Sequence, residues 1–158
     1  MKAVSVTQIK KELEHLSSEE LMELCLRLSK FKKENKELLT YLLFESHDEA
    51  GYIETVKVEV DELFDMINTN SYFYIKKSVR KILRLIKKFA RYSLKKDTEV
   101  ELLLYFCYKL KTFEPSIYNN ITLTNIFNRQ IVLIEKTVNT LHEDLQYDYR
   151  LKLEELKI

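Results

Sequence analysis

Residues 78–96, SVRKILRLIKKFARYSLKK, carry the clearest folding pattern of the chain. Their apolar side chains recur every three or four positions, which is the spacing of one face of an α-helix. At about 100° per residue, these side chains fall within roughly 80° of the direction of Val79, and the basic side chains occupy the other side. The stretch therefore predicts an amphipathic helix with one buried face and one charged face.

The scarcity of glycine and proline extends this prediction to the whole fold. The 158 residues include one of each. A β-sandwich, a barrel or an α/β enzyme with phosphate-binding loops needs glycine wherever φ must be positive. Long helices joined by short polar turns do not. The sequence therefore predicts an all-α protein of six to seven antiparallel helices, arranged as a bundle or as a short stack of helical hairpins.

Similar apolar stripes mark the other helices. Ser17 and Glu20 form a capping box that predicts the start of the second helix, and Asn35 is a candidate cap for the third. The stripes before residue 45 are Val6, Ile9, Leu13 and Leu16, then Leu21, Leu24, Cys25, Leu28 and Phe31, then Leu38, Leu39, Leu42 and Leu43. The later stripes include Val56 and Val60, then Ile75, Val79, Ile82, Ile86 and Phe89, then Val100, Leu103, Cys107 and Leu110, then Phe127, Ile131, Ile134 and Val138.

The length of the chain predicts a single domain over residues 1–158. The last helix is the longest, and an unbroken helix from Leu123 to the end spans roughly 50 Å, more than the diameter of such a domain. Either this helix bends near residues 146–149, or residues 146–158 project as a tail that packs on something else.

The cysteines and the N-terminus indicate the compartment. Cys25 and Cys107 lie far apart, each among leucines, which predicts two buried thiols in a reducing compartment rather than a disulfide. The N-terminus lacks the apolar core of a signal peptide, and no apolar run reaches the length of a membrane span. The expected location is the cytoplasm.

No motif of enzyme chemistry is present. The pair Glu12 and His15 has the Glu-x-x-His spacing of a di-iron carboxylate bundle, but the second pair that such a site needs is missing. His142 is followed by Glu143 without the second histidine of a metalloprotease. With one glycine, no phosphate-binding loop can form. We predict no catalytic residues, no metal, no cofactor and no small-molecule substrate.

The basic side of the central helix is the main candidate for a binding site. Residues 76–96 hold ten of the 26 basic residues and no acid, which leaves 16 basic against 25 acidic residues elsewhere. The strip is about 20 residues or ~30 Å long. Its members, called the basic strip below, are Lys77, Arg80, Lys81, Arg84, Lys87, Lys88, Arg91 and Lys95.

Three interpretations of the basic strip stay open. It is a solvated face quenched by acids of the preceding helix, or it follows a nucleic-acid backbone, or it meets an acidic protein or an anionic membrane. The acids that could quench it are Glu54, Glu59, Asp61, Glu62 and Asp65.

The segment QYDYR, residues 146–150, is a second candidate surface. It alternates polar and aromatic residues, so its two tyrosines cannot share one buried face of a helix. Tyr147, Tyr149 and Arg150 therefore form a candidate interaction surface.

Three segments carry a resemblance to known proteins: TQIKKELEHLSSEELMELCLRLSKFKKENKELLTYLLFE, ELLLYFCYKLKTFEPSI and LHEDLQYDY. The overall pattern of these segments, rather than any catalytic motif, resembles that of a group of small, uncharacterised bacterial all-helical proteins with no assigned activity. The resemblance implies a cytoplasmic helical protein and transfers no functional residue.

Taken together, the sequence predicts a non-enzymatic protein-interaction or scaffold module that binds a protein partner or a second copy of itself. The C-terminal helix is the expected surface for self-association. The alternative is an RNA- or DNA-binding protein that uses the basic helix 76–96.

Overall fold

A computed structural model describes residues 1–157, and its regular secondary structure is entirely helical, as predicted. This part of the chain contains eight α-helices rather than the six to seven expected. A five-residue π-helical turn, Tyr41–Glu45, and a short 3-10 turn, Ile117–Asn119, supplement them. The α-helices are α1 Val6–Leu13, α2 Ser18–Phe31, α3 Lys33–Thr40, α4 Glu49–Asp65, α5 Tyr72–Ser93, α6 Lys96–Lys111, α7 Ile121–Val138 and α8 Glu143–Lys157.

The chain divides into two compact units, Met1–Phe44 and the part from Glu45 onward. The first unit contains α1, α2 and α3, and the second contains α4 to α8. The extent of a single domain over residues 1–158 stays a prediction.

In the first unit, α2 and α3 pack against each other. The predicted capping box is present, because the Ser17 hydroxyl accepts from the backbone N–H of Glu20 while the Glu20 carboxylate accepts from the backbone N–H of Ser17. The Asn35 cap is not present. α3 begins earlier, at Lys33, and the Asn35 side chain instead donates to the carbonyl of Leu28 over 2.8 Å, which ties α3 to the end of α2.

In the second unit, α6 packs against α4, α5, α7 and α8. This central position explains why α6 has apolar side chains on nearly every side, as a helix surrounded by others must. The stripes predicted for the second unit lie in its core. Buried members include Val56, Val60, Ile75, Val79, Ile82, Ile86, Val100, Leu103, Cys107, Leu110, Phe127, Ile131, Ile134 and Val138.

The predicted long last helix is two helices, which is why the helix count was wrong. α7 ends at Val138, earlier than the bend expected near residues 146–149, and α8 begins at Glu143. Side chains satisfy the carbonyls at this corner: the Thr140 hydroxyl donates to the carbonyl of Thr137 over 2.7 Å, and the Gln146 amide donates to that of Leu141 over 2.8 Å. Helix ends need such partners.

The last helix also packs within the second unit. α8 contacts α6 and α7, and it buries Leu153 and Leu156. Lys152 and Lys157 form ion pairs with Glu101 of α6 and Glu135 of α7, with N–O distances of 3.0 and 2.6 Å. Residues 146–157 are therefore a packed helix, and the alternative of a projecting tail does not describe them.

Candidate interaction surfaces

Seven of the eight members of the basic strip, all except Lys95, lie on the outer side of α5, opposite Ile75, Val79 and Ile82. Most of its members are exposed, while Lys87 and Lys88 are half-buried. Six members make no ion pair with any residue of the described chain; these are Lys77, Arg80, Lys81, Arg84, Lys87 and Arg91. Between Lys77 and Arg91 these cations extend over ~21 Å at 1.5 Å per residue.

The acids of α4 do not reach these six cations. The Asp61 carboxylate accepts a hydrogen bond from the Tyr105 hydroxyl over 2.6 Å and forms an ion pair with Lys109 at 3.0 Å. Asp61 therefore faces α6. Glu54 pairs with Lys57 on its own helix over 2.9 Å. Burial alone would raise the pKa of Asp61, but the Tyr105 hydroxyl and Lys109 hold that pKa below its ordinary value. No ion pair therefore joins Glu54 or Asp61 to these six cations, and the three interpretations of the basic strip stay open.

Lys95 is separate from the rest of the basic strip. α5 ends at Ser93, and Leu94 takes a left-handed conformation with φ of 59°, so the chain turns before Lys95. The Lys95 ammonium pairs with Glu49 over 3.1 Å. The Glu49 carboxylate also accepts hydrogen bonds from the hydroxyls of Ser93 and Thr98. Lys95 therefore belongs to a group of polar side chains at the start of α6.

The predicted C-terminal surface is only partly available. Tyr147 is exposed, but Tyr149 is half-buried, and burial together with the nearby Glu101 and Asp97 raises its pKa to about 12. The Arg150 guanidinium donates to the side chains of Asn139 and Gln146 over 3.2 and 2.8 Å. Arg150 thus holds the corner between α7 and α8, and Tyr147 alone presents a large uncommitted side chain.

Exposed large apolar side chains are most frequent in the first unit, and the sequence did not predict this. None of the residues of α1, α2 and α3 is buried. Leu28 and Phe31 of α2 remain 59% and 75% exposed, although their spacing suggested a core stripe. The other large apolar side chains exposed on these helices and the following turn are Val6, Ile9, Leu13, Met22, Leu24, Leu26, Leu38, Leu42, Leu43 and Phe44.

The two cysteines differ accordingly. Cys107 is buried in α6, and burial raises the pKa of its thiol to about 12, as expected for an unreactive core cysteine. Cys25 is exposed, so the prediction that it is buried was wrong. The physical reason is the same as for Leu28, because both side chains line an open groove between α2 and α3 rather than a closed core.

A signal for the exposed surface was present in the sequence. Met22 and Leu26 lie roughly 100° to 140° from Leu21 around α2, outside the stripe that contains Leu24 and Leu28. A helix that is apolar beyond one face needs more than one neighbour.

Two concave features accompany these surfaces. In the first unit, α2 and α3 enclose an apolar groove of about 200 Å³ lined by Cys25, Leu28, Leu38 and Leu39. In the second unit, α6 and α8 enclose a groove of about 440 Å³ beside Leu104, Tyr105, Tyr108 and Leu156. Neither groove contains a histidine.

Residues that could hold a metal do not gather. His15, His47 and His142 are all exposed near helix ends, and His142 lies 3.4 Å from Asp144 of the same turn. Across residues 1–157, no three His, Cys, Asp or Glu side chains meet as a metal site would require. In the same residues, no helix combines the length and the apolar character needed to cross a bilayer.

Comparison of the chain with protein-family models, with curated proteins and with solved structures finds no match. Any inference about function therefore rests on the exposed surfaces.

Proposed function

We propose that this chain is a non-enzymatic protein-interaction module whose docking surface is the first unit, Met1–Phe44. The observation that carries the proposal is the exposure of large apolar side chains on three consecutive helices that bury none of their residues. Large apolar side chains exposed at this density are more common at protein interfaces than on idle surface.

The low intrinsic stability of these short helices favours an interface over a surface that stays exposed to solvent. Helices of eight, fourteen and eight residues are marginal in water on their own, and most helical stability in proteins comes from packing an amphipathic face. A partner that covers Leu28 and Phe31 would supply about 1.5–3 kcal/mol for each side chain that becomes fully buried.

The experiment is photo-crosslinking of the full chain in the cells that make it. A benzoylphenylalanine at position 28 should yield a discrete protein adduct, because the account places this position inside an interface. The matched control is position 132 of α7, where Val132 is similarly exposed in the second unit. Absence of an adduct at position 28, or equal labelling at both positions, would overturn the proposal.

A second candidate function is binding of RNA or DNA by the basic strip. It is favoured by six cations on one face of α5 that no acid of the described chain pairs with. Each phosphate that such cations neutralise releases counterions, so the affinity must fall with salt.

The test compares two double variants with the same change in charge. Arg80→Glu with Arg84→Glu should weaken binding of labelled RNA or duplex DNA and lower the salt slope by about two. Arg129→Glu with Lys136→Glu on α7 should leave binding unchanged. If the wild type shows no salt-sensitive binding, or if both variants weaken it equally, this candidate is removed.

For the architecture, we infer that helices that follow one another along the chain in the second unit run antiparallel, whereas α4 and α6 run in the same direction, because Lys57 lies against Glu101 and Asp61 against Tyr105. Contacts between distant residues support this: the Tyr52 hydroxyl at the start of α4 donates to the carbonyl of Phe89 near the end of α5, over 3.0 Å. Likewise, Lys157 at the end of α8 pairs with Glu135 of α7 while Arg150 reaches Asn139.

A further inference from the structure

The charges of α2 are ordered along its length. Glu19, Glu20 and Glu23 occupy its first half, and Arg27 and Lys30 occupy its second half. Glu19, Glu23, Arg27 and Lys30 form no ion pair within residues 1–157. The helix thus presents an acidic end and a basic end, both available to another molecule.

This order is complementary to itself when the direction is reversed. About Cys25, Glu23 has Arg27 as its counterpart and Glu20 has Lys30. A second α2 laid antiparallel therefore places its basic half along the acidic half of the first, on both sides of a two-fold axis. A parallel arrangement would place like charges together, which disfavours it.

We propose that the partner of the first unit is a second copy of this chain, docked through antiparallel pairing of the two α2 helices. The proposal rests on the proposed function and specifies its partner. Such an interface is isologous, because the same surface serves both protomers, and two-fold dimers are the commonest oligomers.

The apolar side chains of α2 supply the centre of this interface. Leu24, Leu28 and Phe31 lie on one face, and the groove between α2 and α3 has room for an apolar side chain of the partner. A helical unit of about 40 residues usually needs oligomerisation or a covalent staple to stabilise it. A second copy meets this need without any other component.

The geometry gives a covalent readout. Leu24 lies within one residue of the midpoint of α2 and on its apolar face, so antiparallel pairing brings the two copies of position 24 close to the two-fold axis. Cys25 lies roughly 100° further around the helix, beside the groove with α3. A flexible bismaleimide should link two chains that carry Leu24→Cys and Cys25→Ser into a covalent dimer. Cys25→Ser alone should give no link, and the buried Cys107 provides no alternative route.

The decisive experiment uses sedimentation velocity on the purified full chain with two charge variants. We expect a concentration-dependent dimer for the wild type. Glu19, Glu20 and Glu23 changed to Lys, or Arg27 and Lys30 changed to Glu, should each weaken the dimer by about tenfold or more. An equimolar mixture of the two variants should associate again, because an all-basic α2 then faces an all-acidic one.

Each failure has a distinct meaning. A chain that stays monomeric, a dimer that neither charge variant weakens, or a dimer without the link at position 24 overturns the antiparallel pairing. The proposed function survives those outcomes if position 28 still crosslinks to another protein in cells, and it fails independently if that adduct is missing. Circular dichroism of both charge variants checks that they keep the helix content of the wild type, including α2, whose capping box involves Glu20.

Discussion

Glu101 shows how single residues hold the second unit together. Its carboxylate lies between Lys57 of α4 and Lys152 of α8, with N–O distances of 3.2 and 3.0 Å. Burial alone would raise the pKa of Glu101, but hydrogen bonds and charge from Lys152 and Lys57 outweigh burial and hold the pKa below its ordinary value. One side chain of α6 therefore joins three helices.

Glu101→Gln should lower the free energy of unfolding at neutral pH by about 1 kcal/mol, a value that allows for solvent screening at a half-buried site. Because the folded pKa of Glu101 is depressed, its contribution is complete above the ordinary value of 4.5 and disappears as the pH falls through the folded pKa. Urea unfolding should therefore show a difference between variant and wild type that shrinks below pH 4.5.

The matched control for Glu101 is Glu54→Gln. Glu54 pairs with the same Lys57 but is 70% exposed, so its removal should have little effect on unfolding. Equal losses for the two variants would contradict the role given to Glu101.

At the scale of elements, the start of α4 shows why the one glycine of the chain is where it is. Asp48 caps α4 by accepting from the backbone N–H of Gly51 over 3.0 Å. A Cβ at position 51 would meet the Asp48 carboxylate too closely, so the carboxylate would have to leave the cap. The glycine is needed for the cap and not for a positive φ.

Gly51→Ala should therefore leave stability nearly unchanged, because the usual gain of about 1 kcal/mol in a helix is offset by loss of a cap worth about the same. In an Asp48→Ala background the same substitution should stabilise by about 1 kcal/mol. Thermal unfolding of the four proteins measures this coupling, and equal effects in both backgrounds would contradict it.

Apolar spacing was sufficient to predict most helices but not all of their ends. The stripes of α5 and α6 are buried as expected, because a period of three to four residues follows directly from helix geometry. The break between α7 and α8 was not predicted, because hydrogen bonds from the Thr140 and Gln146 side chains to backbone carbonyls stabilise it. Such bonds leave the apolar spacing of the sequence intact.

At the scale of the whole molecule, the sequence could not show which stripes another element covers. The stripe of Val79 and that of Leu28 have the same spacing, yet Val79 is completely buried and Leu28 is largely exposed. Spacing reports that a helix has an apolar face, whereas burial depends on what packs against it. Likewise, the basic strip was found from composition, but the direction in which the acids of α4 point required the structure.

The central claim is that the first unit carries a docking surface that a partner covers. Positions 28 and 132 test it most directly, because their native side chains are 59% and 63% exposed and would react equally if exposure alone decided the outcome. The account predicts a discrete photo-crosslinked adduct of the full chain at position 28 and none at position 132. Equal labelling at the two positions, or no adduct at position 28, would contradict it.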